Sequence, residues 1–292
     1  MAKGPLAAAS AQLCAQAREW QAPRGKLRFL HRLLREARLW LGEGKLRRQQ
    51  MAEAEAPRGR IIGLDVARAL AVVGMVIYHF TFDLGLFGFT PPNYAVTGFW
   101  AMFARAVAGS FLLLAGAGLV LAHGRGIVWP RFWRRFGIIA GAALLVTLAT
   151  RFVMPEQFVF YGILHSIAVS SLLGLAMLRL PFAALLGLAA VFLALPQMFR
   201  HAAFDTPMLW WLGLSPSTPA SMDFEPLFPW FGAFLLGMAL AKILAKQGLL
   251  VPHPVPRWLW RATWIGRHSL VIYLLHQPVL MGLFIAYIRL NG

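Results

Sequence analysis

The sequence has few charged residues and almost no cysteine. Only 13% of its 292 residues are charged, eleven of them are acidic, and Cys14 is the single cysteine. One cysteine excludes an intrachain disulfide and a metal site built from several thiolates. Soluble domains typically carry about 25% charged residues. Scarce charge, together with 59% hydrophobic residues, therefore predicts an all-α integral membrane protein built as a polytopic helical bundle.

Three further absences narrow the class. Residues 1–57 lack an uninterrupted apolar stretch of signal-peptide length, so we expect the first span to act as an uncleaved anchor. No glycine-rich nucleotide-binding loop is present. The histidines lack the spacing of a haem pair, and nothing in the spacing of His79, Asp83 and His165 requires a zinc ion. We therefore predict no metal and no permanently bound cofactor.

Positive charge is concentrated at the beginning of the chain. The net charge is +17, and 13 of the 28 Lys and Arg residues fall within residues 1–60. Nucleic-acid binding is one explanation of such charge, but the positive-inside rule explains it more simply, so no nucleic-acid partner is predicted. Residues 1–57 are interpreted as a basic cytoplasmic extension whose amphipathic helix lies on anionic lipid. A solvated tail and a docking helix are the alternatives. The apolar face of that helix contains Leu27, Leu30, Leu33, Leu34, Ala37 and Leu41.

Seven apolar segments follow in residues 58–292, and each is predicted to cross the bilayer. They are residues 60–86, 97–122, 132–151, 159–178, 182–195, 227–246 and 265–288. With the N-terminus inside, most arginines and lysines of the connecting loops fall on the cytoplasmic side. Every acidic residue after Asp65 then falls at the outer end of a span or in an outer loop. The predicted topology is seven spans, N-in and C-out, and the long loop 196–226 is expected to be functional.

The first span carries four ionisable side chains on one face. At about 100° per residue, Asp65, Arg68, His79 and Asp83 lie within about 60° of one another around a helix. Such charges usually face a protein interior or a water-filled cavity. Asp83 follows His79 by four residues, so we expect it to accept a hydrogen bond from His79 and orient it as a general base. The alternative is a His–Asp pair that only joins two helices.

Other polar side chains in the apolar segments are expected to converge on this face. Arg105 lies in the second segment, and Tyr161 and His165 form an i, i+4 pair in the fourth. His276 lies in the middle of the seventh segment and is followed by Pro278, which frees a backbone carbonyl. For each of these residues alone, a packing role is the competing interpretation.

Several sequence blocks resemble membrane-bound acyltransferases. The first span contains LDxxRAL (64–70) and YHF (78–80), which are similar to the opening helix of type-3 acyltransferases, with ten residues between Arg68 and His79. The last span, from GRHSL (266–270) to YLLHQP (273–278), resembles their closing helix. Three blocks resemble bacterial relatives of heparan-α-glucosaminide N-acetyltransferase. They are HFTFDL (79–84), YGILHSIAVSSLL (161–173) and DFEPLFPWFGAFLLGMAL (223–240). The likeness covers residues 58–290 but not the extension.

The resemblance implies a multi-pass acetyltransferase of the bacterial inner membrane. Its co-substrate would be cytoplasmic acetyl-CoA, and its acceptor a saccharide or glycan with a reactive amine or hydroxyl. The bilayer is then a further partner, and an oligomer is compatible with the sequence. The rival interpretation is a transporter or flippase that uses the charged face as a substrate or proton path.

Roles for the candidate residues follow from this hypothesis. His79, oriented by Asp83, would deprotonate the acceptor, and Arg105 or Tyr161 would stabilise the oxyanion, with His165 nearby. Asp223 and Glu225 would contact the saccharide. The basic loop after the second span would attract the phosphates of CoA. The candidates for binding CoA are Asp65, Arg68, Arg131, Arg134, Arg135 and His276.

Overall fold

The computed structural model describes residues 61–250, 258, 261 and 263–291. The chain divides into two units, Met1–Arg58 and Gly59–Gly292, and every described residue belongs to the second. The amphipathic helix predicted within residues 1–57 therefore lies outside the described residues.

Seven long helices form the described part of the chain. They are α1 (Ile62–Leu86), α2 (Gly98–His123), α3 (Trp129–Val153), α4 (Ile163–Met177), α5 (Phe182–Met198), α6 (Leu227–Lys246) and α7 (Ser269–Asn291). A short helical turn, Trp264–Arg267, precedes α7. The predicted all-α class is confirmed, and each predicted apolar segment corresponds to one of these helices.

Five of the helices, α1, α2, α3, α6 and α7, are long and apolar enough to cross a bilayer. The chain is therefore a multi-pass membrane protein. Helices α4 and α5 have 15 and 17 residues, which is below the usual length for a span. The count of seven spans and the N-in, C-out orientation stay predictions.

The core of the bundle is the contact of α6 with α2 and α5. Phe231, Phe234, Leu235 and Met238 of α6 are almost completely buried. Small residues allow the backbones of α2 and α6 to approach closely, as is common between membrane helices. A β-carbon added to Gly237 would overlap the backbone carbonyl of Leu113, and one added to Gly116 on the opposite helix would overlap that of Phe234.

This close approach predicts the effect of Gly237→Ala. The added methyl group must push α2 and α6 apart, and overpacking of this kind typically costs about 1–3 kcal/mol. Gly187 of α5 is the matched control, because a β-carbon there would meet nothing within 4 Å. Gly187→Ala should be neutral or slightly stabilising, since alanine favours helices over glycine by about 1 kcal/mol. Thermal unfolding in detergent measures both variants, and equal midpoints would contradict the close packing.

Two extended segments outside the helices run side by side. One directly precedes α4 in the chain, and the other directly precedes α6. Residues Tyr161 and Phe224 form an isolated β-bridge. The Glu225 amide donates to the Tyr161 carbonyl at 3.0 Å, and the Met222 amide donates to that of Gln157 at 2.9 Å. This pairing carries the acidic end of the predicted functional loop to the N-terminus of α4.

Candidate functional site

Two cavities bordered by described residues share one wall. The arginine cavity, of about 460 Å³, is lined by Arg68 of α1, by Arg267, and by Arg131, Arg134 and Arg135 of α3. The histidine cavity, of about 580 Å³, is lined by His79, His276, Asp223 and Glu225 among others. Phe111, Ile163 and Tyr273 line both cavities, so we call these three residues the shared wall.

The arginine cavity contains more positive than negative charge. A β-carbon at Gly118 of α2 would lie 3.4 Å from a guanidinium nitrogen of Arg68 and 3.4 Å from one of Arg135. Both half-buried guanidinium groups therefore approach α2 where it has no side chain. Arg68 also donates to the carboxylate of Asp65 at 3.2 Å, and Asp65 is only 2% exposed. The structure thus brings together the arginines that the sequence assigned to one anion site.

The turn before α7 positions the fifth arginine of this cavity. Arg267 donates to the hydroxyl of Thr263 at 2.9 Å. Gly266 beside it packs directly on α1, where a β-carbon would overlap the backbone carbonyl of Asp65. The contact holds the start of α7 against α1 at the level of Arg68.

The histidine cavity places two imidazole rings in contact. The ring centroids of His79 and His276 are 4.7 Å apart with an interplanar angle of 63°. Nδ1 of His276 lies 2.6 Å from the backbone carbonyl of Tyr273. A carbonyl oxygen only accepts, so Nδ1 carries a hydrogen and the neutral ring leaves Nε2 as an acceptor. That Nε2 is buried and has no hydrogen-bond partner among the described residues. His276 therefore lines the histidine cavity together with His79. The sequence grouped His276 with the arginines, which line the other cavity.

The hydrogen bond expected between His79 and Asp83 does not form. Asp83 is fully buried, and its Oδ1 accepts from Nε2 of Gln277 at 2.8 Å. Within the described part of the chain, its Oδ2 has no hydrogen-bond partner. Helix α7 packs on this face of α1 and supplies its own donor to Asp83, whereas the His79 ring packs on His276. Asp83 joins α1 to α7 through Gln277, so the His79–Asp83 pair that both interpretations assumed is not formed.

Asp223 and Glu225 bring two carboxyl groups to the histidine cavity. Oδ2 of Asp223 accepts from the backbone amide of Ile163 at 2.9 Å, so it caps the N-terminus of α4. Burial raises the pKa of the Asp223 carboxyl. Burial raises the pKa of Glu225 well above its usual value, the charge of Asp223 raises it further, and the charge of Arg105 opposes both. The two carboxyl groups therefore titrate above the usual range of exposed acids.

Both ring nitrogens of His165 are engaged outside the cavities. Nδ1 accepts from the Gly162 amide at 3.2 Å. Nε2 lies 3.2 Å from the hydroxyl of Thr147, which itself donates to the Val159 carbonyl at 2.6 Å. Because the Thr147 hydrogen is used, Nε2 of His165 is the donor. His165 thus ties the connection before α4 to α3.

Tyr161 and Arg105 also lie outside both cavities. The Tyr161 hydroxyl is buried and makes no hydrogen bond to any residue that the structure describes, and its ring stacks on His165 with 5.8 Å between centroids. Arg105 is exposed on α2. Neither residue lines a cavity wall.

Sequence reasoning missed Tyr273 and Gln277 as site residues. Tyr273 lies on the shared wall, and Gln277 holds Asp83. The signal was present, since both belong to the same YLLHQP motif as His276. Helical periodicity places Tyr273, His276 and Gln277 on one face of α7.

Comparison with known proteins identifies the family. The family model described as heparan-alpha-glucosaminide N-acetyltransferase, catalytic, matches residues 60–278. The match covers well over half of the chain and includes every lining residue of the arginine cavity and, apart from Met281 and Ile285, every lining residue of the histidine cavity. No curated protein and no solved structure matches the chain. The chain therefore belongs to the heparan-alpha-glucosaminide N-acetyltransferase catalytic family, a family of membrane acetyltransferases.

Proposed function

We propose that the protein transfers the acetyl group of acetyl-CoA to an amine or hydroxyl of a saccharide. The observation that carries the proposal is the shared wall between a cationic cavity and a cavity lined by histidines and carboxylates. Donor and acceptor enter from opposite ends of the bundle and meet at that wall. The reaction takes place in the bacterial inner membrane, with the arginine cavity on the cytoplasmic side, as the positive-inside rule favours.

The arginine cavity holds the CoA part of the donor. Guanidinium groups bind phosphate oxygens through paired hydrogen bonds, so the cluster favours a polyanionic ligand. Arg131 and Arg134 are exposed and meet the phosphates first, while Arg68 and Arg135 are half-buried and draw the ligand inward. The thioester end of the donor then points to the shared wall.

The histidine cavity holds the acceptor and removes its proton. Asp223 and Glu225 accept hydrogen bonds from sugar hydroxyls and attract an ammonium group. An ammonium acceptor first loses one proton to solvent, and His79 then takes a proton from the neutral amine or the hydroxyl as its nitrogen or oxygen attacks the thioester carbonyl. His79 lies eleven residues after Arg68 on α1, about 16 Å by helical rise, so one helix presents the donor-binding and the proton-accepting groups at different depths.

The raised pKa of Glu225 predicts the pH dependence of acceptor use. If the carboxylate binds an ammonium acceptor, kcat/KM falls as the pH drops through this raised pKa. Arg105 lowers the pKa of Glu225, so Arg105→Gln should move the acidic limb of the profile to higher pH. Asp223→Asn removes a like charge and should move it to lower pH. Arg200→Gln, at an exposed arginine in the loop after α5, is the control, and identical limbs in all variants would contradict the role of Glu225.

A transfer assay tests the proposed function directly. Purified protein is incubated with acetyl-labelled acetyl-CoA, with and without a panel of amino sugars and glycans, and the labelled products are separated. We expect label on the saccharide only when protein, donor and acceptor are all present. Saccharide movement into proteoliposomes without acetylation, by a folded protein, would favour the transporter and overturn the proposal.

A further inference from the structure

Tyr273 occupies a special position between the two cavities. Of the three described residues on the shared wall, Phe111 and Ile163 have apolar side chains, so Tyr273 supplies its polar side-chain group. A thioester that reaches the acceptor from the arginine cavity must pass this wall. The phenol therefore lies where the reacting carbonyl arrives.

The hydroxyl of Tyr273 makes a long hydrogen bond. It donates to Oδ2 of Asp223 at 3.4 Å, whereas O–H···O hydrogen bonds are usually about 2.5–3.0 Å long. The same Oδ2 already accepts the shorter bond from the Ile163 amide at 2.9 Å. Transfer of the Tyr273 hydrogen bond to a ligand oxygen thus leaves the Asp223 carboxyl with its stronger partner.

The backbone and ring of Tyr273 are placed by the histidines of the same cavity. Its carbonyl accepts the hydrogen bond from Nδ1 of His276, and the two rings lie 5.7 Å apart. The His276 ring in turn contacts the ring of His79. The phenol and the proton-accepting imidazole are therefore carried by one packed cluster of α1 and α7.

We infer that Tyr273 is a catalytic residue whose phenolic O–H donates a hydrogen bond to the thioester oxygen as its negative charge develops. The inference rests on the proposed function. The acceptor nitrogen or oxygen forms a bond to the carbonyl carbon, the carbonyl electron pair moves to the oxygen, and the acceptor proton passes to His79. When the oxyanion collapses, the carbon–sulfur bond breaks and CoA leaves as a thiolate that is then protonated.

This assignment replaces the two oxyanion candidates drawn from the sequence. Arg105 is exposed, Tyr161 is buried beside His165, and neither lines a cavity. A donor acts on an oxyanion only when it lies within about 3 Å of the developing charge. Tyr273 is the candidate whose side chain reaches both substrate cavities.

The test is the kinetics of Tyr273→Phe in the full-length protein. The ring stays, so packing of the shared wall is preserved, and loss of one oxyanion donor is expected to lower kcat by about 10²–10³-fold. KM for acetyl-CoA and the thermal unfolding midpoint should change little. Tyr94→Phe, at an exposed tyrosine outside both cavities, is the matched control and should keep the wild-type kcat. Replacing Tyr273 by 3-fluorotyrosine, which keeps the hydroxyl, should restore activity.

The possible results separate this inference from the proposed function. Wild-type kcat in Tyr273→Phe, or a raised KM at unchanged kcat, would overturn the role of Tyr273 while leaving the acetyl transfer intact. A large loss of kcat in Tyr161→Phe with none in Tyr273→Phe would return the role to Tyr161. Absence of any acetylated product with the wild-type protein would instead refute the proposed function itself.

Discussion

His79→Ala is expected to lower kcat for acetyl transfer by about 10²–10⁴-fold, the usual contribution of a positioned general base. The imidazole lines the cavity that also contains Asp223 and Glu225, and its ring is oriented by contact with His276. Loss of the imidazole removes the group that takes the proton from the saccharide during the attack. Transfer of labelled acetyl groups measures the loss.

Three further measurements make the His79 result specific. Binding of acetyl-CoA should persist in His79→Ala, because His79 does not line the arginine cavity and Arg68 lies about 16 Å from it along α1. His201→Ala, at an exposed histidine outside both cavities, should keep the wild-type rate. Added imidazole should restore part of the His79→Ala activity, since the truncated side chain leaves room in the cavity. Full transfer by His79→Ala without imidazole would contradict the assignment.

Arg135→Gln is expected to raise KM for acetyl-CoA by about 10–100-fold, because a hydrogen bond to a charged group contributes about 1.5–3 kcal/mol. Arg135 is half-buried and approaches the same glycine of α2 as Arg68, so an anion between them relieves the repulsion of two like charges. The kcat at saturating donor should change much less, because the reacting carbonyl lies at the shared wall.

Stability and salt dependence distinguish donor binding from a structural role of Arg135. The ligand-free variant should unfold at or above the wild-type temperature, since a like charge near Arg68 is removed. Higher ionic strength should raise KM for acetyl-CoA less in the variant than in the wild type. Arg179→Gln, at an exposed arginine before α5 and outside the cavity lining, is the matched control and should keep the wild-type KM. An Arg135→Gln protein with wild-type KM would exclude Arg135 from the donor site.

The length of the apolar segments predicted the helices, and helical periodicity predicted the shared polar face of α1. The predicted segment 227–246 coincides with α6, and the polar face of α1 meets α7 and both cavities. Periodicity gives the direction of a side chain but not its neighbour. For that reason the sequence paired Asp83 with His79 on the same helix, although Gln277 on α7 is its partner.

The start of α4 could not be predicted from local sequence either. The apolar segment begins at Val159, but the helix begins at Ile163, because residues 157–161 pair with the segment before α6. Asp223, sixty residues away in sequence, then caps the helix. This contact across the chain places Ile163 on the shared wall, so the wall and the position of Tyr273 on it emerge only from the tertiary structure.

The most direct test of the account is the sidedness of acetyl transfer in sealed proteoliposomes of one protein orientation. Labelled acetyl-CoA is placed on one side of the membrane and an impermeant amino sugar on the other, in both arrangements. We expect labelled saccharide in only one arrangement, with acetyl-CoA on the side of the arginine cavity, and none when both substrates are confined to either side alone. Transfer that requires donor and acceptor on the same side would contradict the proposed transfer across the membrane.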